Sequence, residues 1–207
     1  MDSAHSATLL NVITTRVDGR AEGRAIRVGS VLFITVLTAA AAQISFPLPF
    51  TQVPFTFQPM VVLLGAMVLG SRLGATSQML YLALGIAGMP VFAASPLLPQ
   101  GAARLLGPSG GYLMSYPLAA FVTGSLAERG FDRRYLTAIV AMAAGLAVVY
   151  AGGTAWLSLA SQQLRGISPA IAAGVVPFIV PDVLKLFVAA GVMPGLWKIT
   201  GQAESRR

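Results

Sequence analysis

The sequence predicts an all-α integral membrane protein with six transmembrane helices and both termini in the cytoplasm. Three observations carry that prediction. Only 10% of the 207 residues are charged and 56% are hydrophobic, whereas an ordinary soluble domain is about 25% charged; the mean hydropathy is +0.75. Charge is also excluded from long runs, because residues 28–71, 73–103, 105–127 and 135–164 contain no Asp, Glu, Lys or Arg. Roughly 20 apolar residues cross the hydrocarbon as a helix, so these runs have room for several spans. The third observation is the side on which the cations fall. With six spans and the termini inside, Arg16, Arg20, Arg24, Arg27, Arg72, Arg129, Arg133, Arg134, Lys198, Arg206 and Arg207 lie inside and only Arg104 and Arg165 outside. Such a bias is the positive-inside rule.

Taken in order, residues 1–24 are polar, carry three of those arginines and lack an apolar core followed by a small-residue cleavage site. They read as a cytoplasmic tail and not as a signal peptide. Helices are expected at about 25–46, 58–70, 73–87, 110–127, 135–160 and 171–198, forming one membrane domain over 25–198 with a short cytoplasmic tail at 199–207. Between the first two, "FPLPFTQVPFTFQP" places four prolines in fourteen residues and cannot be a continuous helix. The second helix is short, its thirteen residues covering only about 20 Å. The proline-rich segment is therefore expected to dip into the protein, where irregular backbone is tolerated only if buried or lining a cavity. That makes 47–58 a candidate lid. "AGMPVFAASPLLPQGAARLLGPSGG" reads as a long loop, and "ERGFDRR" and "SQQLRGISP" as plain polar turns. Trp156 and Trp197 suit the membrane interfaces. Gly191-x-x-x-Gly195 is spaced for close helix packing, as is Gly70-x-x-x-Gly74, although the latter begins at a turn.

Several chemistries are excluded. The chain has no Cys, and its single His, His5, lies in the polar tail, so thiolate, iron–sulfur and histidine metal sites are not expected. No G-x-x-x-x-G-K-[ST] motif is present, so the polypeptide cannot drive transport with ATP by itself. The net charge of +7 is accounted for by cytoplasmic Lys and Arg and calls for no nucleic-acid partner.

One pair of residues stands against this background. In "VPFIVPDVLKLFVAA", Asp182 and Lys185 sit three residues apart and so share a helical face. Each costs about 2.5–3.5 kcal/mol at the bilayer midplane, and intramembrane charges usually mark a substrate or ion path. An ion pair that only neutralises itself is the plainer alternative. Pro177 and Pro181 break the backbone ladder beside the pair. "GPSGGYL" at 107–113 opens the fourth helix; Gly110 and Gly111 allow close approach and Tyr112 adds a hydroxyl. Arg104 in the preceding loop could pair with a carboxylate, and Gln58 and Gln100 are further polar candidates. An intramembrane enzyme is disfavoured, because no second carboxylate, nucleophile or metal cluster accompanies Asp182.

Taken together, "AAQISFPLPFTQVPFTFQ", "LLGAMVLGSRLGATSQMLYLALGIAGMPVFA", "LLGPSGGYLMSYPLAAFVTGSLAER" and "PDVLK" resemble the BioY family, the biotin-specific S components of energy-coupling factor (ECF) transporters. The resemblance spans about residues 30–190. It implies six helices in a prokaryotic cell membrane, with biotin as transported ligand, no cofactor and no catalysis. It also implies partnership with a transmembrane coupling protein and two cytosolic ATPases. The carboxylate and lysine that hold the ureido ring in the family match Asp182 and Lys185. The family's Gly-Gly-Tyr turn matches Gly110, Gly111 and Tyr112, and its first loop matches the 47–58 lid. Two features depart from the family pattern: "ASPLLPQGAA" replaces a glycine-rich stretch, and Leu113 stands where some members have Arg, which passes the carboxylate role to Arg104. On the first helix, the docking pattern for the coupling protein reads Thr35-x-x-x-Ala39. A cyclic urea has two N–H donors and one carbonyl acceptor, matching an aspartate and a lysine. A carrier for another small vitamin, a proton-coupled or facilitative carrier, and a homo-oligomer remain open alternatives.

Overall fold

A computed structural model describes residues 8–15, 19–49, 51–94, 100–161 and 164–200. Arg16, Arg206, Arg207, His5 and part of the "ASPLLPQ" loop lie outside the described residues. The elements run α1 Leu9–Thr15, α2 Arg20–Gln43, β1 Ser45–Phe46, β2 Phe55–Thr56, α3 Gln58–Leu69, α4 Ser71–Ile86, α5 Ala103–Leu106, α6 Gly110–Leu126, α7 Tyr135–Ala160, α8 Ile167–Gly174 and α9 Val176–Ile199. A single π-helical turn, Ala127–Phe131, joins α6 to α7.

Three helices, α2, α7 and α9, are long and apolar enough to cross a membrane on their own. Their outward faces are apolar: Leu32, Phe33 and Val36 on α2 and Val180, Leu184 and Val188 on α9 are exposed. Lipid is the solvent that makes such faces acceptable. α3 is apolar but has twelve residues, about 18 Å of helix. Gly70 alone separates it from α4, at φ 85, a left-handed conformation that glycine adopts without strain. The two helices therefore fold back on each other.

The broadest helix contact is α6 on α7, with α4 and α3 also against α6, α2 against α3 and α4, and α9 against α7 and α3. Glycine permits that closest contact. A Cβ on Gly111 would strike Trp156, and one on Gly153 would strike the Tyr112 ring. The core between the helices is filled by Leu63, Met67, Met142, Val149, Leu157 and Met193.

The architecture departs from the sequence expectations at several points. The first long helix spans Arg20–Gln43 and not 25–46, because Ser45 and Phe46 instead pair antiparallel with Thr56 and Phe55. The segment at 47–58 is thus a strap closed by a two-stranded hairpin, the one departure from an all-α fold among the described residues. Within the polar stretch 1–24, Leu9, Leu10 and Val12 form a buried face of α1. The last helix is not continuous from 171: it breaks at Val175 (φ −123, ψ −57), and Pro177 in the first turn of α9 has no N–H to continue the ladder. "ERGFDRR" is more than a plain turn. Gly130 sits at φ 89 and Asp132 is buried, its Oδ2 accepting from Trp197 Nε1 at 3.0 Å. Gly191 and Gly195 are exposed, with nothing near Gly195 and only the edge of the Tyr135 ring near Gly191, whereas a Cβ added at Gly74 would lie 3.1 Å from the Ala66 Cα.

Candidate functional site

The inward face of α9 carries Phe178, Asp182, Lys185, Leu186 and Ala189, all buried. The spacing is that of one helical face, and burying an ion pair on it requires that every charge find a partner. The Lys185 ammonium donates to Asp182 Oδ1 at 2.7 Å and to the Thr56 carbonyl of the strap at 2.7 Å. It also lies 3.6 Å from the ring centroid of Phe55. The other carboxylate oxygen, Oδ2, accepts the Tyr150 hydroxyl at 2.7 Å. Each oxygen of Asp182 retains acceptor capacity after these bonds.

Beside the pair is a cavity of about 920 Å³, counting the space open at its mouth. The strap, the α4–α6 connection, α6, α7 and α9 enclose it. Of the residues singled out in the sequence, Asp182, Lys185, Gln58, Arg104 and Tyr112 line this one space. Gln58 is positioned by Tyr81, to whose hydroxyl its amide donates at 2.6 Å; Tyr81 in turn donates to the Val91 carbonyl at 3.2 Å and meets Phe92 edge-on.

Arg104 comes from the single turn α5, outside the spans, and is only 4% exposed. Its Nε has no hydrogen-bond partner, and the one ion pair among the described residues is Lys185–Asp182. Burial lowers the pKa of this guanidinium from the ordinary arginine value, an effect that Tyr81 opposes. A cation this buried, without an anion among the described residues, is suited to an anion from a ligand.

Three of the sequence candidates lie elsewhere. Gly110 and Gly111 do not line the cavity: the Gly110 N–H donates to Gly107 at 3.0 Å, and both glycines seat α6 against Trp156 of α7. Gln100 is also outside it, its amide donating to the Phe92 carbonyl at 3.1 Å. Tyr112 does line it, but its hydroxyl is already spent on the Gly174 carbonyl at 2.8 Å, which holds the end of α8 at the break. In contrast, Tyr150 went unnoticed in the sequence. A tyrosine some fifteen residues inside an uncharged span, far from the interface where tyrosines gather, was the available signal.

Residues 14–202 match the model of the BioY family. A protein of Pyrococcus horikoshii named probable biotin transporter BioY is 40% identical over 166 residues, covering 80% of this chain and 93% of its own. The biotin transporter BioY of Thermotoga maritima is 40% identical over 165 residues, covering 80% and 92%. In fold, the chain is similar to a crystal structure of the S-component for biotin from an ECF-type ABC transporter, with TM-score 0.76, 24% identity, and 88% of this chain and 95% of that one covered. With a family match over nearly its whole length and relatives this similar, the chain belongs to the BioY family.

Proposed function

We infer that the protein is a non-enzymatic biotin-binding subunit that captures biotin for uptake across a prokaryotic cell membrane. The observation that carries this reading is the Asp182–Lys185 pair, bonded at 2.7 Å and facing a cavity with a buried, unpaired guanidinium at Arg104. The names of the relatives support it. Biotin offers a cyclic urea, an apolar bicycle and tail, and a carboxylate. The free acceptor sites of Asp182 suit the two urea N–H groups, and the remaining N–H of Lys185 suits the urea carbonyl. Arg104 suits the ligand carboxylate, with Gln58 beside the path between them.

The same reading takes the chain as six spans, α2, α3 with its strap, α4, α6, α7 and α8–α9, with cytoplasmic tails at 1–24 and 199–207. It takes the partners to be a transmembrane coupling protein and two cytosolic ATPases, since the chain has no nucleotide-binding loop of its own. Tritiated biotin should bind the detergent-purified protein saturably. Asp182→Asn and Lys185→Met should each weaken binding by more than about tenfold, as expected for loss of a charge-assisted bond. No saturable binding in the wild type would overturn the function, and full binding in both variants would overturn the site. Biotin uptake by cells carrying the gene with and without the coupling module separates an ATP-energised subunit from a self-sufficient carrier.

A further inference from the structure

Three consecutive strap residues surround one buried cation. Thr56 gives its carbonyl to the Lys185 ammonium at 2.7 Å, the Phe55 ring centroid lies 3.6 Å from Nζ, and the Phe57 centroid lies 5.4 Å away. The rings support one another, Phe46 on Phe55 at 6.1 Å and Phe55 on Phe57 edge-on at 5.8 Å. The strap also packs on the core, with Val53 buried in it and Leu48 and Phe55 against it. Its strands are two residues each, well below the size at which a hairpin is stable by itself. Its tip is tied to α7 by a 3.5 Å contact between Ser161 and Gln52, and its root by Gln43 donating to the Pro90 carbonyl at 3.3 Å. The Lys185 cation fastens the strap to the last helix by one hydrogen bond and two ring contacts.

We propose that Phe55 is a positioning residue that acts through Lys185: its π-face fastens the strap over the cavity and thereby sets how long a bound ligand stays. This rests on the reading of the cavity as a biotin site. Phe55 does not line the cavity itself, so its influence on a ligand passes through the lysine. A ring centred 3.6 Å from an ammonium shielded from water is in the strong range for cation–π attraction. The attraction depends on both partners: removing either the π-face or the charge releases the same contact. Closure of the strap and binding at Asp182 are then coupled, because one ammonium serves both.

Two measurements test this. Dissociation of tritiated biotin from Phe55→Leu, which keeps an apolar side chain and removes the π-face, should be about tenfold faster than from wild type. Phe55→Trp, with a stronger π-face, should restore slow dissociation. The chain has no cysteine, so spin labels can be placed cleanly at Pro47→Cys on the exposed strap and Leu159→Cys at the 79% exposed end of α7. In ligand-free protein the distance between them should broaden in Phe55→Leu and more in Lys185→Met, which also loses the Thr56 carbonyl bond, with no broadening in the double variant beyond that of Lys185→Met. Unchanged dissociation from Phe55→Leu, equally fast release from Phe55→Trp, or an unaltered distance in Lys185→Met would each overturn the proposal. If wild type binds no biotin, the functional reading fails, and the distance arm still decides whether the phenylalanine and lysine fasten the strap.

Discussion

At the scale of the residue, the site is a set of acceptors and donors held by second partners. Asp182 is fixed through both oxygens, by Lys185 on one side and Tyr150 on the other. Tyr150→Phe removes only the hydroxyl, and equilibrium binding of biotin should weaken by about tenfold, the worth of one hydrogen bond to a charged group; unchanged affinity would show that Lys185 orients the carboxylate unaided. Arg104→Gln should weaken biotin more than it weakens the uncharged biotin amide, measured by competition against tritiated biotin, because only the free acid presents an anion to the guanidinium. Asp132, on the α6–α7 turn outside the spans, allows a pH test. Burial pushes its pKa from 3.8 up to about 6, opposed by the Trp197 indole N–H and by Arg133. A group whose folded pKa is raised stabilises the fold most when protonated, so its contribution is full below about 3.8 and is lost as pH rises through about 6. Melting temperatures should therefore show wild type gaining about 1 kcal/mol between pH 7 and pH 5 relative to Asp132→Asn, which has no proton to exchange.

At the scale of the element, what matters is where helices stop and how closely they approach. The proline-rich strap was legible as non-helical, because four prolines deny it a backbone ladder. Its pairing of Phe46 with Phe55 was not, since register depends on partners nine residues away that no local signal names. The break at Val175 is a similar case. Pro177 signals a disturbance, but Tyr112 of α6 decides its exact place by bonding the Gly174 carbonyl. Gly111 and Gly153 let α6 and α7 meet around Trp156 and Tyr112. Gly153→Leu should lower thermal stability in detergent by about 1–3 kcal/mol through overpacking, with biotin affinity falling alongside because the Tyr112 ring forms a wall of the cavity.

At the scale of the whole molecule, the proposed six-span arrangement gathers the cations at one end and predicts that this end, with both termini, faces the cytoplasm. A cysteine at Ala203 should react with a membrane-impermeant maleimide in inverted vesicles and not in intact cells, whereas one at Arg165 should do the reverse. The membrane class, and Asp182 and Lys185 as a charged pair on one helical face, were determined by the sequence alone. The physical reason is that hydrocarbon penalises charge so steeply that runs without it, and a pair retained within it, cannot be incidental. Tertiary structure alone decided which other residues join that pair. Arg104, Gln58 and Tyr150 lie 78, 124 and 32 residues before Asp182 on separate elements, and nothing in the local sequence of Arg104 or Gln58 distinguishes them from Gln100 or Gly110, which packing turns elsewhere. A ligand site needs side chains from several helices converging on one space, and convergence is a property of the packed fold and not of any single segment.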